Sequence, residues 1–207
     1  MLSRRSQSAL VVGLGAMRLA ELTLSSRNLR RTGAGRQAAP RSFPIMVAAN
    51  VALFTLCVAP RRRRPHRAVE AAALTGLAAA VGLRLWVIAS LGPAWNVKGL
   101  VPEKMAVVTR GPYRWMRHPN YLAVIVEFAC LPVAVGAYGE AVLLSAANAA
   151  VLIPRIRAEE ALLDRVPGYR EAFAGVPRFL PTKGRGRGLG VRAVASEPGQ
   201  REPVAGR

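Results

Sequence analysis

Two short stretches of this chain carry residue types able to do chemistry at a membrane surface. Gly111-Pro112-Tyr113-Arg114-Trp115-Met116-Arg117-His118-Pro119-Asn120-Tyr121 combines cations, aromatic rings and an imidazole, punctuated by two prolines. Downstream, Arg155-Ile156-Arg157-Ala158-Glu159-Glu160 adds carboxylates. The first stretch is wedged between two apolar runs, and the second begins where the last apolar run ends. Both therefore sit where hydrocarbon meets water, an inventory suited to gripping a zwitterionic molecule beside a lipid.

The spacing groups some of these residues. Asn148, Leu152, Arg155 and Glu159 recur at helical intervals and share one face. Arg155 and Glu159 can pair with each other at i,i+4. Alternatively, that face meets the Tyr113–Tyr121 loop, the arginine taking a carboxylate and the glutamate an ammonium group. Glu160 points elsewhere on the same wheel, toward solvent. His118 precedes Pro119, which biases it away from helix and presents its ring from extended backbone. It reads either as a hydrogen-bonded structural histidine or as part of the chemistry. Tyr113, Trp115 and Tyr121 read either as interfacial belt residues or as the lining of an adenine or lipid pocket. Glu127 lies inside an apolar run, where an ionisable group is expensive unless paired or functional. Arg84 is its expected partner, and a substrate-facing role is the alternative. No metal site is expected: His66 is the other histidine and lies in an arginine-rich loop, and Cys57 and Cys130 fall in apolar runs without CxxC spacing. The cysteines read as small buried hydrophobes.

The elements that must position these groups follow from composition. Of 207 residues, 52% are apolar, yet the formal net charge is +19. A soluble nucleic-acid binder of that charge would spread its cations over the surface. Here arginine is packed between long apolar runs, the distribution of a membrane protein, and no nucleic-acid partner is expected. The runs are Ser8 to Leu24, Phe43 to Ala59, Ala68 to Leu91, Leu122 to Ala137 and Glu140 to Ile153. The last two, joined at Gly136 to Gly139, read as a helical hairpin. The N-terminal run resembles a signal peptide, but Arg18 and Glu21 close it without a small-residue cleavage site, so a retained helix is expected. The fold class predicted is an all-α integral membrane bundle of about five transmembrane helices. Residues 1–92 would hold the N-terminal helices, 93–182 the site with its hairpin, and 183–207 a disordered basic tail.

With all five runs spanning, 21 of the cations share the face bearing both motifs and seven fall on the other. The positive-inside rule then puts the motifs in the cytoplasm, with Arg61–Arg64 as the awkward outward loop. Gly13 to Gly15 lies in an apolar helix and is no dinucleotide fingerprint, and the chain has no P-loop, GxSxG or HExxH.

The Gly111–Tyr121 and Arg155–Glu160 motifs, together with Tyr169 and Pro177-Arg178-Phe179-Leu180-Pro181, resemble the isoprenylcysteine carboxyl methyltransferase family of integral membrane enzymes. Arg18-Leu19-Ala20-Glu21-Leu22, Ser26-Arg27-Asn28 and Pro44-Ile45-Met46-Val47 are similar to its bacterial branch. The chain departs from the eukaryotic pattern after Tyr121, where Leu122-Ala123 stands in place of a glycine. The resemblance implies S-adenosylmethionine as cofactor, bound without a Rossmann domain. It implies that Met105, Ala106, Val107, Val108 and Tyr113 line the cofactor site. His118, Pro119, Asn120 and Tyr121 would hold the methionine end, with Glu159 on the amino group. Arg155 would face the substrate carboxylate, with Glu127 also placed on the substrate side. Arg155 and His118 would be the catalytic pair, with His118 or Glu127 as the nearest candidate base if the acceptor is a hydroxyl. The implied partners are membrane lipids and a lipophilic or isoprenoid-like small molecule methylated on a carboxylate or hydroxyl. The implied location is the bacterial cytoplasmic membrane. Two rivals remain open: a related NADPH-dependent membrane reductase, and a non-catalytic membrane protein binding anionic lipid.

Overall fold

A computed structural model describes residues 2–32, 35–59, 65–102 and 106–179. The expectations attached to Met105, the Arg61–Arg64 loop and the 183–207 tail fall outside these residues. Five long helices make up the described fold: α1 (Arg4–Thr32), α2 (Ser42–Val58), α3 (Arg67–Leu91), α4 (Pro119–Ala134) and α5 (Tyr138–Leu163), followed by a single turn, α6 (Tyr169–Ala172). The all-α expectation is met. The strands among the described residues are one short antiparallel ribbon, β1 (Gly35–Gln37) with β2 (Leu100–Pro102), Arg36 opposite Val101. Helix α1, α3 with its following turn, and α5 are long and apolar enough to cross a membrane. Helices α2 and α4 are apolar but have 17 and 16 residues. At a rise of about 1.5 Å per residue they reach roughly 25 Å, slightly short of a typical hydrocarbon core.

Helix α5 runs past the end of the apolar run at Ile153 and carries Asn148, Leu152, Arg155 and Glu159 on one helix, as their spacing predicts. Pro154 removes one i→i−4 hydrogen bond, to the Ala150 carbonyl, but the helix runs on through it to Leu163. In a packed membrane bundle neighbouring helices tolerate such a break, and the next residue, Arg155, is anchored by three side-chain bonds. The Arg155–Glu160 motif is thus a continuation of the helix rather than a loop beyond it. Helix α4 starts as expected: His118 has φ −126° and ψ 55°, and Pro119 is the first helical residue, where its missing N–H costs nothing.

The core draws on all five helices, with Val11, Leu14, Leu53, Leu77, Phe128, Leu131, Leu144 and Leu152 buried together. Outward-facing Val12, Leu19, Val51, Leu85, Val142 and Leu143 are exposed, as a hydrocarbon-facing surface requires. Between helices, close packing and polar bonds rather than hydrophobic burial must hold such a bundle together. Gly76 lets α3 approach α4, since a Cβ there would sit 2.7 Å from Cys130 Sγ.

The polar bonds differ from the expectation that Glu127 pairs with Arg84. Arg84 instead clamps Glu21 with Nε and Nη2, both at 2.6 Å. Arg18 Nη1 also holds Glu21, at 2.7 and 2.6 Å, and Arg18 Nη2 contacts Glu127 Oε2. Arg18 and Glu21 stand one turn apart on α1, so these two charges face α3 and α4 together. The four groups sum to no net formal charge, which is how ionisable side chains persist within apolar surroundings.

Candidate functional site

The site forms where α1 ends, α3 runs out and α4 begins. The segment after α3 is pinned to α1: Asn28 Nδ2 donates to the carbonyls of Trp95 (2.8 Å) and Gly92 (3.2 Å). The Val97 N–H donates to Ser25 Oγ at 3.1 Å. Asn96 then closes a tight turn, accepting from Leu100 N–H at 2.8 Å and donating to the Leu100 carbonyl at 2.9 Å. The turn needs a left-handed residue, and Gly99 supplies it with φ +65°. A Cβ at Gly99 would lie 2.8 Å from Arg155 Nη2, so glycine is required there for space as well.

Arg155 is the hub, with 1% of its surface exposed. Its Nη1 donates to Ser42 Oγ on α2 (2.7 Å), its Nη2 to the Val97 carbonyl (2.9 Å) and its Nε to the Tyr121 hydroxyl on α4 (2.9 Å). A guanidinium carries five N–H donors, so two remain for a ligand. The Tyr121 hydroxyl passes its own proton in a close hydrogen bond to Glu159 Oε2. Arg155 and Glu159 are therefore joined through Tyr121, which makes the i,i+4 geometry a three-residue relay.

His118 stands next to this relay, buried, its ring 5.6 Å from that of Tyr121. Its Nε2 lies 3.1 Å from Glu160 Oε1. This corrects the reading of Glu160 as a solvated residue. The Glu160 carboxylate also takes a bidentate pair from Arg178, at 2.9 and 2.6 Å, and lies 3.5 Å from Arg117 Nη1. The wheel of α5 does turn Glu160 away from Glu159, but the chain returns on that side. Residues Pro177 and Arg178 accept backbone bonds from Arg117 and His118, at 2.8 and 2.9 Å, and Phe179 packs on the imidazole at 6.4 Å.

These groups open on one cavity of about 1010 Å³, counting its open mouth. Val107, Val108, Tyr113, His118, Asn120, Tyr121, Arg155 and Glu159 line it together. Ala106 is exposed and Pro119 is buried at the start of α4, and neither is part of the lining. Glu127, one helical turn beyond the lining residue Val124, is likewise absent from it. Sequence reasoning missed Ser42, the Trp95–Leu100 wall, and Leu163, Tyr169 and Phe173 on the far side. The turn-forming Asn96 and Gly99 beside a tryptophan were the available signal for the wall. Burial pushes the Tyr113 phenol well above its ordinary range, helped by Glu159 and Tyr169. Burial likewise raises Tyr169 to about 12, although Arg117 opposes the shift. Both rings stay neutral and face the cavity as aromatic walls with hydroxyl donors.

Residues 72–165, just under half the chain, match the profile of the isoprenylcysteine carboxyl methyltransferase (ICMT) family. These residues are similar to that family. The ICMT-family region spans most of α3, all of α4 and α5, and the relay Tyr121–Arg155–Glu159. Ser42, Tyr169 and Phe173 complete the site from outside it. The chain is also 45% identical over 82 residues to an uncharacterized protein, YpbQ, of Bacillus subtilis (strain 168), covering 40% of this chain and 49% of that one. It thus spans about half the length of the curated relative it matches.

Proposed function

We propose that the chain is an S-adenosylmethionine-dependent methyltransferase of the bacterial cytoplasmic membrane. Its substrate would be a lipophilic, isoprenoid-like small molecule methylated on a carboxylate or hydroxyl, with the site on the cytoplasmic side. The observation that carries this reading is the Arg155–Tyr121–Glu159 relay opening on a cavity at the membrane-facing bundle.

The donor set fits the cofactor. Glu159 offers a carboxylate to its ammonium group. Asn120 Oδ1, Trp95 Nε1 and Arg117 Nε are buried polar atoms of cavity-lining residues without a partner among the described residues. Tyr113, Tyr121, Tyr169 and Phe173 offer faces to a flat heterocycle and to a sulfonium, which aromatic rings attract. When bound, the cofactor supplies an electrophilic methyl group. The protein's part is alignment, which can contribute on the order of 7–11 kcal/mol at best. Arg155 would hold the acceptor with its two remaining N–H groups, its position fixed by Ser42, Val97 and Tyr121. A carboxylate acceptor is already ionised and needs no base. For a hydroxyl acceptor, His118 would take the proton on Nδ1, with Glu160 beside Nε2 offsetting the charge. The cytoplasmic assignment rests on Arg27, Arg30 and Arg31, which lie at the site end of α1, and on the positive-inside rule.

The test is calorimetric titration of S-adenosylmethionine into detergent-purified protein. Saturable binding, weakened by Glu159→Gln and by His118→Ala, is expected. A folded protein that binds NADPH instead would overturn the reading in favour of a reductase.

A further inference from the structure

Trp95 is among the largest fully buried side chains of the chain, 1% exposed. Among the described residues its indole nitrogen has no hydrogen-bond partner, although a buried indole N–H usually finds an acceptor. Trp95 lines the same cavity as Tyr121, Arg155 and Glu159. Its backbone does not drift: Asn28 holds its carbonyl at 2.8 Å, and the next turn is fastened to Ser25 and Arg155. A rigid wall thus carries a lone donor whose desolvation is uncompensated, an arrangement that costs stability unless a ligand supplies the acceptor.

We propose that Trp95 is a cofactor-recognition residue whose indole N–H donates to an acceptor atom of S-adenosylmethionine, with Asn28 as its positioning residue. This rests on the methyltransferase reading and adds to it. Neither the sequence motifs nor the family resemblance assigns Trp95 a role. The proposal also gives α1, which lies outside the ICMT-family region, a part in cofactor affinity.

The chain has three tryptophans, and the other two, Trp86 and Trp115, are about half exposed and stack on each other at 5.5 Å. Replacing both with phenylalanine leaves Trp95 as the single reporter. In that background, S-adenosylhomocysteine and S-adenosylmethionine should each shift the emission of Trp95 saturably. Trp95→Phe in the otherwise native chain keeps an aromatic ring and removes the donor, and an unchanged thermal transition in detergent checks that the smaller ring leaves the fold intact. Its Kd for S-adenosylhomocysteine, measured by calorimetry, should rise about three- to tenfold, the worth of one hydrogen bond. Asn28→Ala should raise it in the same direction. If the native chain binds S-adenosylhomocysteine but Trp95→Phe binds it equally and the single-tryptophan emission stays silent, the role of Trp95 is wrong while the methyltransferase reading stands. If the folded native chain binds neither nucleoside, both fall together.

Discussion

Glu160 Oε1 lies 3.1 Å from His118 Nε2, so the second glutamate of the acidic pair orients the imidazole of the first motif. The same carboxylate holds Arg178 bidentately. Glu160 therefore ties three separate pieces of chain together: the loop before α4, α5 itself, and the segment that follows α6.

Glu160→Ala should loosen that tie without unfolding the bundle. The amides of Arg117 and His118, which donate to Pro177 and Arg178, should exchange hydrogen at least tenfold faster in the variant. Exchange measured by mass spectrometry on peptides covering 113–121 would check this, and unchanged protection would refute the tie.

Tyr121→Phe removes the oxygen that links Arg155 to Glu159. Hydrogen bonds to charged groups are worth about 1.5–3 kcal/mol each, and part of the loss is recovered as the two charges draw together. S-adenosylmethionine affinity should fall about tenfold or more, with the helical circular dichroism spectrum unchanged. Equal affinity would show that the relay does not support binding.

Gly99→Ala confronts two penalties at once: a left-handed backbone and a Cβ 2.8 Å from Arg155 Nη2. A left-handed non-glycine residue costs about 1 kcal/mol or more, and the guanidinium must also move. Binding should be strongly impaired while helix content is retained. Gly13→Ala, on α1 with nothing near its Cβ position, is the matched control and should behave as the native chain.

Glu21→Leu strands Arg84 in the bundle and leaves Arg18 with Glu127 alone, since Glu21 accepts from both arginines. Breaking a buried ion pair from one side costs roughly 3–5 kcal/mol, whereas replacing a whole pair with apolar residues is often nearly neutral. The single variant should lose thermal stability in detergent, and Glu21→Leu with Arg84→Leu should regain much of it. A double variant as unstable as the single one would mean that the network is not balanced by charge.

Much of this was readable from apolar runs and helical spacing. The five helices, the tight link after α4 and the shared face of Arg155 and Glu159 all follow from local pattern. Helix α5 is legible as far as Glu159 from the spacing of Asn148, Leu152, Arg155 and Glu159, although Pro154 lies inside it. What stayed hidden depended on contacts far apart in sequence. Glu160 looked solvated because its wheel position says nothing of a later strand of chain returning past it. The partner of Glu127 was assigned to Arg84 by elimination, although Arg18 lay on a helix whose rotation only packing decides. The Trp95 carbonyl is held by Asn28, 67 residues away, and no periodicity reports such a bond.

Arg155 draws on Ser42, Val97 and Tyr121, all of which leave the ribosome before it. Insertion of α5 is therefore the step that assembles the Arg155 hub, and Tyr169 and Phe173 wall the pocket after it. A chain stalled earlier, or one whose final helix failed to enter the bilayer, would carry no working half-site. Ligand binding by this protein thus doubles as a report on its topogenesis.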